Sequence, residues 1–469
     1  MCGIVAVTGY KKALPLLLNG LEKLEYRGYD SAGIAIINSE TKKIVCNKAE
    51  GKLKYLKNIV KNTEIHGTVG IGHTRWATHG KPDVKNAHPH IDSSGKVAVV
   101  QNGIIENYQE LKNKLEKEGV VFNSDTDTEV IPHLIQKELF ALSQLNLEDN
   151  GSTLLVAVRN VISDLEGSYA LAVLWSGAPD SLVVARKQAP LIIGLGEGEF
   201  ICASDTPAIA NFTKIILPME DEEIALLTPL GIEIYDSNNE RQYRNPISLQ
   251  IAEQVIDKKD FRHYMLKEIY DQPDIAKYWL EKYLIKDSNT GQFQINYSFD
   301  TKIFDSIERI EIVACGTSKH AAMVGSFLLE QFSGIPTNVY YASEFRYSPP
   351  PLLPNTLTIG VTQSGETADT IAAISMEIKR RSSIGNRNYK PNLVAITNRI
   401  ESSIGRQIPN IIDIGAGIEI GVAATKTFFA QLLSFYGLAI KLAQIKAVSY
   451  THLRAHETRG NLVCRLLLE

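Results

Sequence analysis

Two different rhythms of apolar and polar positions divide the chain. From Ile4 to about Gln188 the apolar runs are short and strand-like, as in Ile4-Val5-Ala6-Val7, Ala32-Gly33-Ile34-Ala35-Ile36, Val97-Ala98-Val99-Val100 and Tyr169-Ala170-Leu171-Ala172-Val173. Between them lie stretches with helical spacing, such as Ala13 to Leu24 and Glu106 to Lys117. Strands and helices mix without strict alternation, which predicts packed antiparallel sheets flanked by helices. After about Thr301 the rhythm becomes a clean alternation. Strands are expected at Ile310 to Ala314, Asn338 to Tyr341, Leu357 to Val361 and Leu393 to Thr397, with helices from about Lys319 to Phe332 and Thr367 to Arg380. That alternation predicts a doubly wound parallel sheet, whose ligands bind outside the carboxyl ends of the strands. Those ends carry Cys315-Gly316-Thr317-Ser318 and Thr362-Gln363-Ser364-Gly365-Glu366-Thr367, both rich in hydroxyls. A charged, irregular stretch from about Asp236 to Gln292 separates the halves and reads as a linker with a helix near Phe261 to Tyr270.

Composition narrows the class more than the function. A length of 469 residues suggests about three domains. The 49 basic and 53 acidic residues leave a net charge of −4, which indicates neither nucleic acid nor an anionic membrane as a partner. No basic segment leads into a long apolar one, and no run of about 18 apolar residues is evident, so a cytoplasmic protein is expected. Five cysteines, scattered and without CxxC spacing, argue against a disulfide framework and a thiolate zinc site.

Candidate chemistry begins at Cys2, which directly follows Met1. Removal of Met1 would leave one residue with both a thiol of pKa near 8.5 and an α-amine of about 7.7 to 8.0, a nucleophile with its own base. A second-position cysteine is also compatible with a frayed terminus. Four clusters bear on the choice. Tyr26-Arg27-Gly28-Tyr29-Asp30-Ser31-Ala32-Gly33 is a glycine-rich turn into a strand, a place for close approach to a ligand or a plain structural turn. In His73-Thr74-Arg75-Trp76-Ala77-Thr78-His79-Gly80, an arginine could hold a carboxylate by a bidentate pair or make a surface ion pair. Asn102-Gly103 could be a hairpin turn or an oxyanion hole made of a side-chain amide and a backbone N–H. Ser124-Asp125-Thr126-Asp127-Thr128-Glu129 precedes the helical run Val130 to Leu139, where capping is the default and binding of a substrate ammonium the alternative. A metal site among His66, His73, His79, His88 and His90 is disfavoured, because no acidic ligand cluster stands near them in sequence.

Together, in this order and behind Cys2, these clusters resemble the class II glutamine amidotransferases over about the first 240 residues. The resemblance implies a four-layer α+β sandwich of the N-terminal nucleophile hydrolase type, with antiparallel sheets between helices. It implies Cys2 as nucleophile with its own α-amine as base, and Asn102 and Gly103 as the oxyanion hole. It further implies glutamine binding by Arg27, Arg75, Trp76, Thr78, His79 and Asp127, with Arg75 on the α-carboxylate and Asp127 on the α-ammonium. Gln101 stands where the family usually has His, and only a small effect is expected there.

In the second half, hydroxyls and backbone N–H groups at helix N-termini suit a phosphate. They are also ordinary caps. Neither GxGxxG nor GxxxxGK[ST] occurs, which disfavours dinucleotide and P-loop nucleotide binding. Cys315 to Ser318, Ala342 to Tyr347, Gln363 to Thr370 and Glu419 to Lys426 resemble the first sugar isomerase (SIS) domain of the glutamine:fructose-6-phosphate aminotransferase family, with Arg262 to Tyr270 like its interdomain segment. That resemblance implies phosphosugar binding by Thr317, Ser318, Thr362, Gln363, Ser364 and Thr367, with Val422 close to the sugar. It implies transfer of glutamine-derived ammonia to fructose 6-phosphate to give glucosamine 6-phosphate, with no metal, nucleotide or other cofactor, by an enzyme that is a homodimer at full length. Thr362 and Ala424 stand where Ser is usual.

The expected domains are residues 1–240 for glutaminase, 241–300 for a linker with a helix, and 301–446 for the first SIS domain. Residues 447–469 match nothing expected of the family and read as a non-native tail, with the second SIS domain absent. Such a chain is expected to keep glutaminase activity and part of the phosphosugar site without making glucosamine 6-phosphate. The competing class is a phosphosugar-sensing regulator with an inert amidotransferase-like head, which would release no glutamate.

Overall fold

The computed structural model describes residues 2–61, 63, 65–76, 80–249, 258–286 and 293–446. The chain divides into two compact units, Met1–Glu253 and Gln254–Glu469. In unit 1 the strand-like runs assemble into two sheets, one of eight strands and one of seven. Neighbouring strands of the described residues pair antiparallel in both sheets, as in Gly3–Gly9 with Gly70–Arg75 and Val97–Ile105 with Gly167–Trp175.

The two-residue period of a strand decides how these sheets stack. Ile4 and Ala6 face one way and meet Ala98, Val100, Ala170 and Ala172 of the other sheet in a common core. Val5 and Val7 face the other way and pack with Leu17, Leu21 and Leu24 of helix Ala13–Leu24. In the second sheet Val97, Val99, Leu171 and Val173 turn outward onto helices Val130–Gln144 and Gly151–Ser163, through residues such as Ile131, Ile135, Leu154 and Val158. Unit 1 is therefore helix, sheet, sheet and helix in four layers, with the catalytic candidates at the ends of facing strands.

Unit 2 contains a parallel sheet of five strands, in the order Thr337–Tyr341, Arg309–Ala314, Thr356–Thr362, Leu393–Thr397, Ile411–Asp413. Helices cover both faces. Ile310, Ile312 and Ala314 pack with Leu329 and Phe435 on one face. Val313 packs with Ala373, Ile374 and Phe345 on the other. The chain leaves Arg309–Ala314 toward one neighbour and reaches Thr356–Thr362 on the other side, so the strand order reverses between these two. Ligands of doubly wound sheets bind at such a point.

Two expectations need correction. The stretch expected as a linker, 241–300, contains a second helix, Gln272–Tyr283, and the hairpin Leu284–Lys286 with Phe293–Ile295. Ile275, Trp279, Tyr283, Ile295 and Tyr297 belong to the core of unit 2, and Trp279 Nε1 donates to Ser434 Oγ at 3.2 Å. Charged residues on the exposed side of that helix obscured its apolar side in the sequence. Helix Lys426–Ile445 is also long and apolar enough to cross a membrane, with a mean hydropathy of 1.4 over its most apolar window. It is a core helix here: half of that window is buried, and Ala430, Phe435, Leu438 and Leu442 lie in the core of unit 2.

Candidate active site

Strand Gly3–Gly9 runs antiparallel to Gly70–Arg75 with Gly3 opposite Thr74, which brings the Cys2 thiol beside Arg75 and Trp76. The Trp76 backbone N–H donates to Cys2 Sγ at 3.2 Å. The turn before strand Ser31–Ile37 presses against the same backbone. A side chain on Gly28 would meet the Arg75 carbonyl carbon at 2.7 Å, while Asp30 N donates to Arg75 O at 3.0 Å. The glycine-rich turn thus fixes the peptide that holds the sulfur. Burial pushes the Cys2 thiol above its ordinary pKa, and the Trp76 N–H and the charges of Arg75 and Arg27 counter this only in part. The thiol is held protonated near neutral pH and needs a base.

The second sheet supplies the amide. Asn102 Nδ2 donates to the Cys2 carbonyl oxygen at 3.2 Å. Of the two readings of Asn102-Gly103, the hairpin turn is not formed: both residues lie inside strand Val97–Ile105, opposite Ala170 and Tyr169. Gly103 has φ +120°, and a Cβ there would stand 2.0 Å from Ser168 O. The Asn-Gly signal reflects this strained, close-approach position instead of a turn. Gly103→Ala is expected to destabilise unit 1 by about 2–4 kcal/mol, from strain plus a backbone clash, as checked by chemical denaturation. A change under about 0.5 kcal/mol would contradict it.

Arg75 is buried and carries an Nη1 hydrogen bond to Lys81 O at 3.3 Å. Burial lowers its pKa, while the charges of Cys2, Asp30, Asp83 and Asp127 act to raise it, which places Arg75 within electrostatic reach of both the thiol and Asp127. Asp127 is buried, its Oδ2 accepting from Ile105 N–H at 2.8 Å. Its loop is held by Glu129, which does not cap the helix that follows. The Glu129 carboxylate accepts from Asn123 N at 2.8 Å and from both Ser124 N and Ser124 Oγ at 2.6 Å. Burial alone would raise its pKa, but these bonds and His133 bring it down to about 2.

Arg27 is used differently from the expectation that it binds glutamine. Its Nη1 donates to Asp205 Oδ2 at 2.7 Å, an oxygen that also accepts from Tyr26 OH at 2.5 Å. The neighbouring Ser204 Oγ accepts from Ile4 N at 3.0 Å, so Arg27 braces the Cys2 strand and lends its charge to the thiol. Trp76 is half-buried and packs edge-on to Tyr29 at 5.4 Å. Thr78 and His79 lie outside the described residues.

Three histidines sit behind this site. The rings of His73 and His88 stack at 4.2 Å, and His88 and His90 meet edge-on at 4.7 Å. Their nitrogens engage protein groups: His73 Nε2 with Asn102 Oδ1 and Gln101 O, His88 Nδ1 with Gln101 N–H, His90 Nε2 with Thr126 Oγ1. Among the described residues no group of three or more His, Cys, Asp or Glu is arranged to hold a metal ion. Gln101 Oε1 accepts from Thr128 Oγ1 at 2.7 Å, while its amide nitrogen finds no acceptor among the described residues. The sequence reading missed His73 as a site residue. The available signal was the strand period, which puts His73 on the same face as Arg75 two positions on.

In unit 2, Thr317 and Ser318 open helix Gly316–Ser333 at the carboxyl end of strand Arg309–Ala314. Ser318 Oγ accepts from Gln431 Nε2 at 3.0 Å. The neighbouring loop, Thr362 to Thr367, leads into helix Ala368–Ser382. Gln363 and Ser364 are half-buried, and Ser364 Oγ accepts from Glu366 N. Thr362 departs from a ligand-facing role. It is 1% exposed and spends its hydroxyl on Thr367 Oγ1 at 2.8 Å and Gly365 N at 3.2 Å, tying the loop together. Val422 is 71% exposed on the segment before helix Lys426–Ile445. Glu268 anchors that segment by accepting from Gly421 N at 3.0 Å and Ile420 N at 2.5 Å.

A glutamine amidotransferase domain family matches residues 73–211, and the SIS domain family matches residues 303–441. The chain is 54% identical over 445 residues to a protein of Thermosynechococcus vestitus described as glutamine–fructose-6-phosphate aminotransferase (isomerizing), covering 94% of this chain and 70% of that one. Proteins of the same description from a Nostoc species and from Caldanaerobacter subterraneus are 52% and 44% identical. Each alignment covers 94% of this chain, and 70% and 69% of those proteins.

Proposed function

The chain belongs to the glutamine–fructose-6-phosphate aminotransferase family, and from that premise we propose that unit 1 hydrolyses glutamine and that its ammonia aminates fructose 6-phosphate, giving glucosamine 6-phosphate. The observation that carries the first step is the convergence of Cys2 Sγ, the Asn102 amide, Arg75 and Asp127. In this reading the Cys2 α-amine takes the thiol proton and sulfur attacks the glutamine side-chain carbonyl. The oxyanion is held by the Asn102 amide and the Gly103 N–H. Collapse releases ammonia and leaves a thioester, which water hydrolyses to glutamate, restoring the thiol. Arg75 takes the α-carboxylate and Asp127 the α-ammonium.

Phosphosugar binding is assigned to Thr317, Ser318, Gln363, Ser364 and Thr367, with Thr362 shaping the loop and Val422 bordering the sugar. Two helix N-termini at the strand-order reversal supply the positive potential for a phosphate. The reading includes a cytoplasmic homodimer that uses neither nucleic acid nor membrane.

The direct test is glutamate release by the purified protein supplied with glutamine; a folded protein with no release above background overturns the reading. A second expectation is specific to Arg75. Losing a charge-assisted carboxylate contact costs about 3 kcal/mol, so Arg75→Ala should raise KM for glutamine by roughly 10²-fold with kcat changed far less. A collapse of kcat at unchanged KM would place Arg75 on the reacting atoms instead.

A further inference from the structure

We infer that His73 is a positioning residue for glutamine hydrolysis, holding the Asn102 amide with its nitrogen toward the nucleophile. The inference rests on the reading of unit 1 as a glutaminase and adds a residue that touches neither substrate nor thiol. An asparagine amide is nearly symmetric in shape but opposite in chemistry at its two ends. Turned by half a rotation, Asn102 would present an oxygen to the oxyanion and repel it. Something must choose the orientation.

His73 does so by its tautomer. Nε2 lies 3.0 Å from Asn102 Oδ1 and 3.1 Å from Gln101 O. Both partners are carbonyl oxygens, so Nε2 must carry the hydrogen and Nδ1 the lone pair. Nδ1 is buried without a hydrogen-bond partner, a tolerable state for a bare lone pair and a costly one for an N–H. The ring is 1% exposed and stacked on His88, which leaves it little room to turn. Burial, opposed only in part by the hydrogen bond to Asn102, drives its pKa down to about 3, so the neutral ring persists at any working pH. With Oδ1 held from behind, Asn102 Nδ2 is committed forward, where it already meets the Cys2 carbonyl at 3.2 Å.

The test is a double-mutant cycle read in steady-state glutaminase kinetics. His73→Leu should lower kcat by roughly 10²-fold, the cost of one oxyanion donor, with KM for glutamine changed by less than about threefold. His73→Gln, whose amide nitrogen reaches the position of Nε2, should recover most of the loss; His73→Asn, whose nitrogen matches Nδ1, should not. In an Asn102→Ala background, His73→Leu should cost less than about threefold, because there is no amide left to orient. Equal loss in both backgrounds, or a rise in KM with kcat unmoved, overturns the inference. His73→Gln and His73→Asn, compared at matched thermal stability, keep the test decisive should His73→Leu fail to fold. Absence of glutaminase activity in the unaltered protein sinks the parent reading and this inference with it.

Discussion

Cys2→Ala is expected to abolish glutamine hydrolysis, lowering kcat by roughly 10⁴–10⁶-fold, the range seen when a covalent nucleophile is removed from an otherwise intact site. The fold should survive. The thiol's hydrogen bonds are to the Trp76 peptide, whose N–H donates to it at 3.2 Å and whose carbonyl accepts from it at 3.5 Å, and the smaller alanine fits in its place. Among the described residues of unit 1 the other thiols are poor substitutes: Cys202 is fully buried in the core between the two sheets with its pKa driven far up by that burial, and burial pushes Cys46 up to about 11. Glutamate release and the melting curve of the variant, measured together, separate loss of chemistry from loss of structure. Retained turnover in a folded Cys2→Ala protein would remove the proposed mechanism. The same chemistry fixes a pH dependence. A thiol held protonated by burial depends on a neutral α-amine, whose ordinary pKa is about 7.7 to 8.0, so kcat/KM should fall as pH drops through that range.

The candidate site residues came from a resemblance, since each cluster alone had a plain structural reading. Cys2, Arg75, Asn102 and Asp127 could be named because their clusters, in that order behind Cys2, resemble the class II glutamine amidotransferases. Antiparallel sheets flanked by helices were legible in unit 1 from short apolar runs such as Ile4-Val5-Ala6-Val7, whereas the four layers came only with the resemblance. What stayed hidden depends on partners far along the chain. Arg27 reads as a binding residue until Asp205 arrives beside it. Thr362 reads as a phosphate contact until Gly365 and Thr367 fold back onto its hydroxyl. Helix Gln272–Tyr283 was lost because the exposed Asp274, Lys277, Glu281 and Lys282 make the segment read as a charged stretch, although Trp279 and Tyr283 are nearly fully buried. His73 was invisible as a positioner for the same reason: its role is set by the tautomer that Gln101 O and Asn102 Oδ1 impose.

Mild acid should unfold unit 1 before unit 2. His73, His88 and His90 are each held neutral, first by burial; His88 and His90 also feel neighbouring histidines, Arg75 and Lys48, and Glu129 opposes the shift only at His90. The unfolded chain binds these three protons below about pH 6.5, whereas the folded state resists them, His73 down to about 3. Stability is therefore whole above about 6.5 and is lost as pH falls, approaching about 4 kcal/mol per pH unit when all three rings contribute. Glu129, lowered to about 2, adds to the loss below its ordinary value near 4.5. In unit 2 the resolved carboxylate shifts have the opposite sign: burial raises Glu268 and Glu311, so the folded form gains relative to the unfolded one as they take up protons. Calorimetry from pH 7 to 4.5 should show one transition falling steeply and a second falling much less. Hydrogen exchange assigns the first to residues such as Val97–Ile105. A loss of about 4 kcal/mol per unit is a large share of an ordinary domain's 5–15 kcal/mol, so unfolding near pH 5 is the expected result. His88→Gln removes one of the three titrating rings and should lower the proton uptake on unfolding by about one. Unchanged uptake, or a unit 1 transition flat between pH 7 and 5, would show that the buried histidines do not govern acid stability.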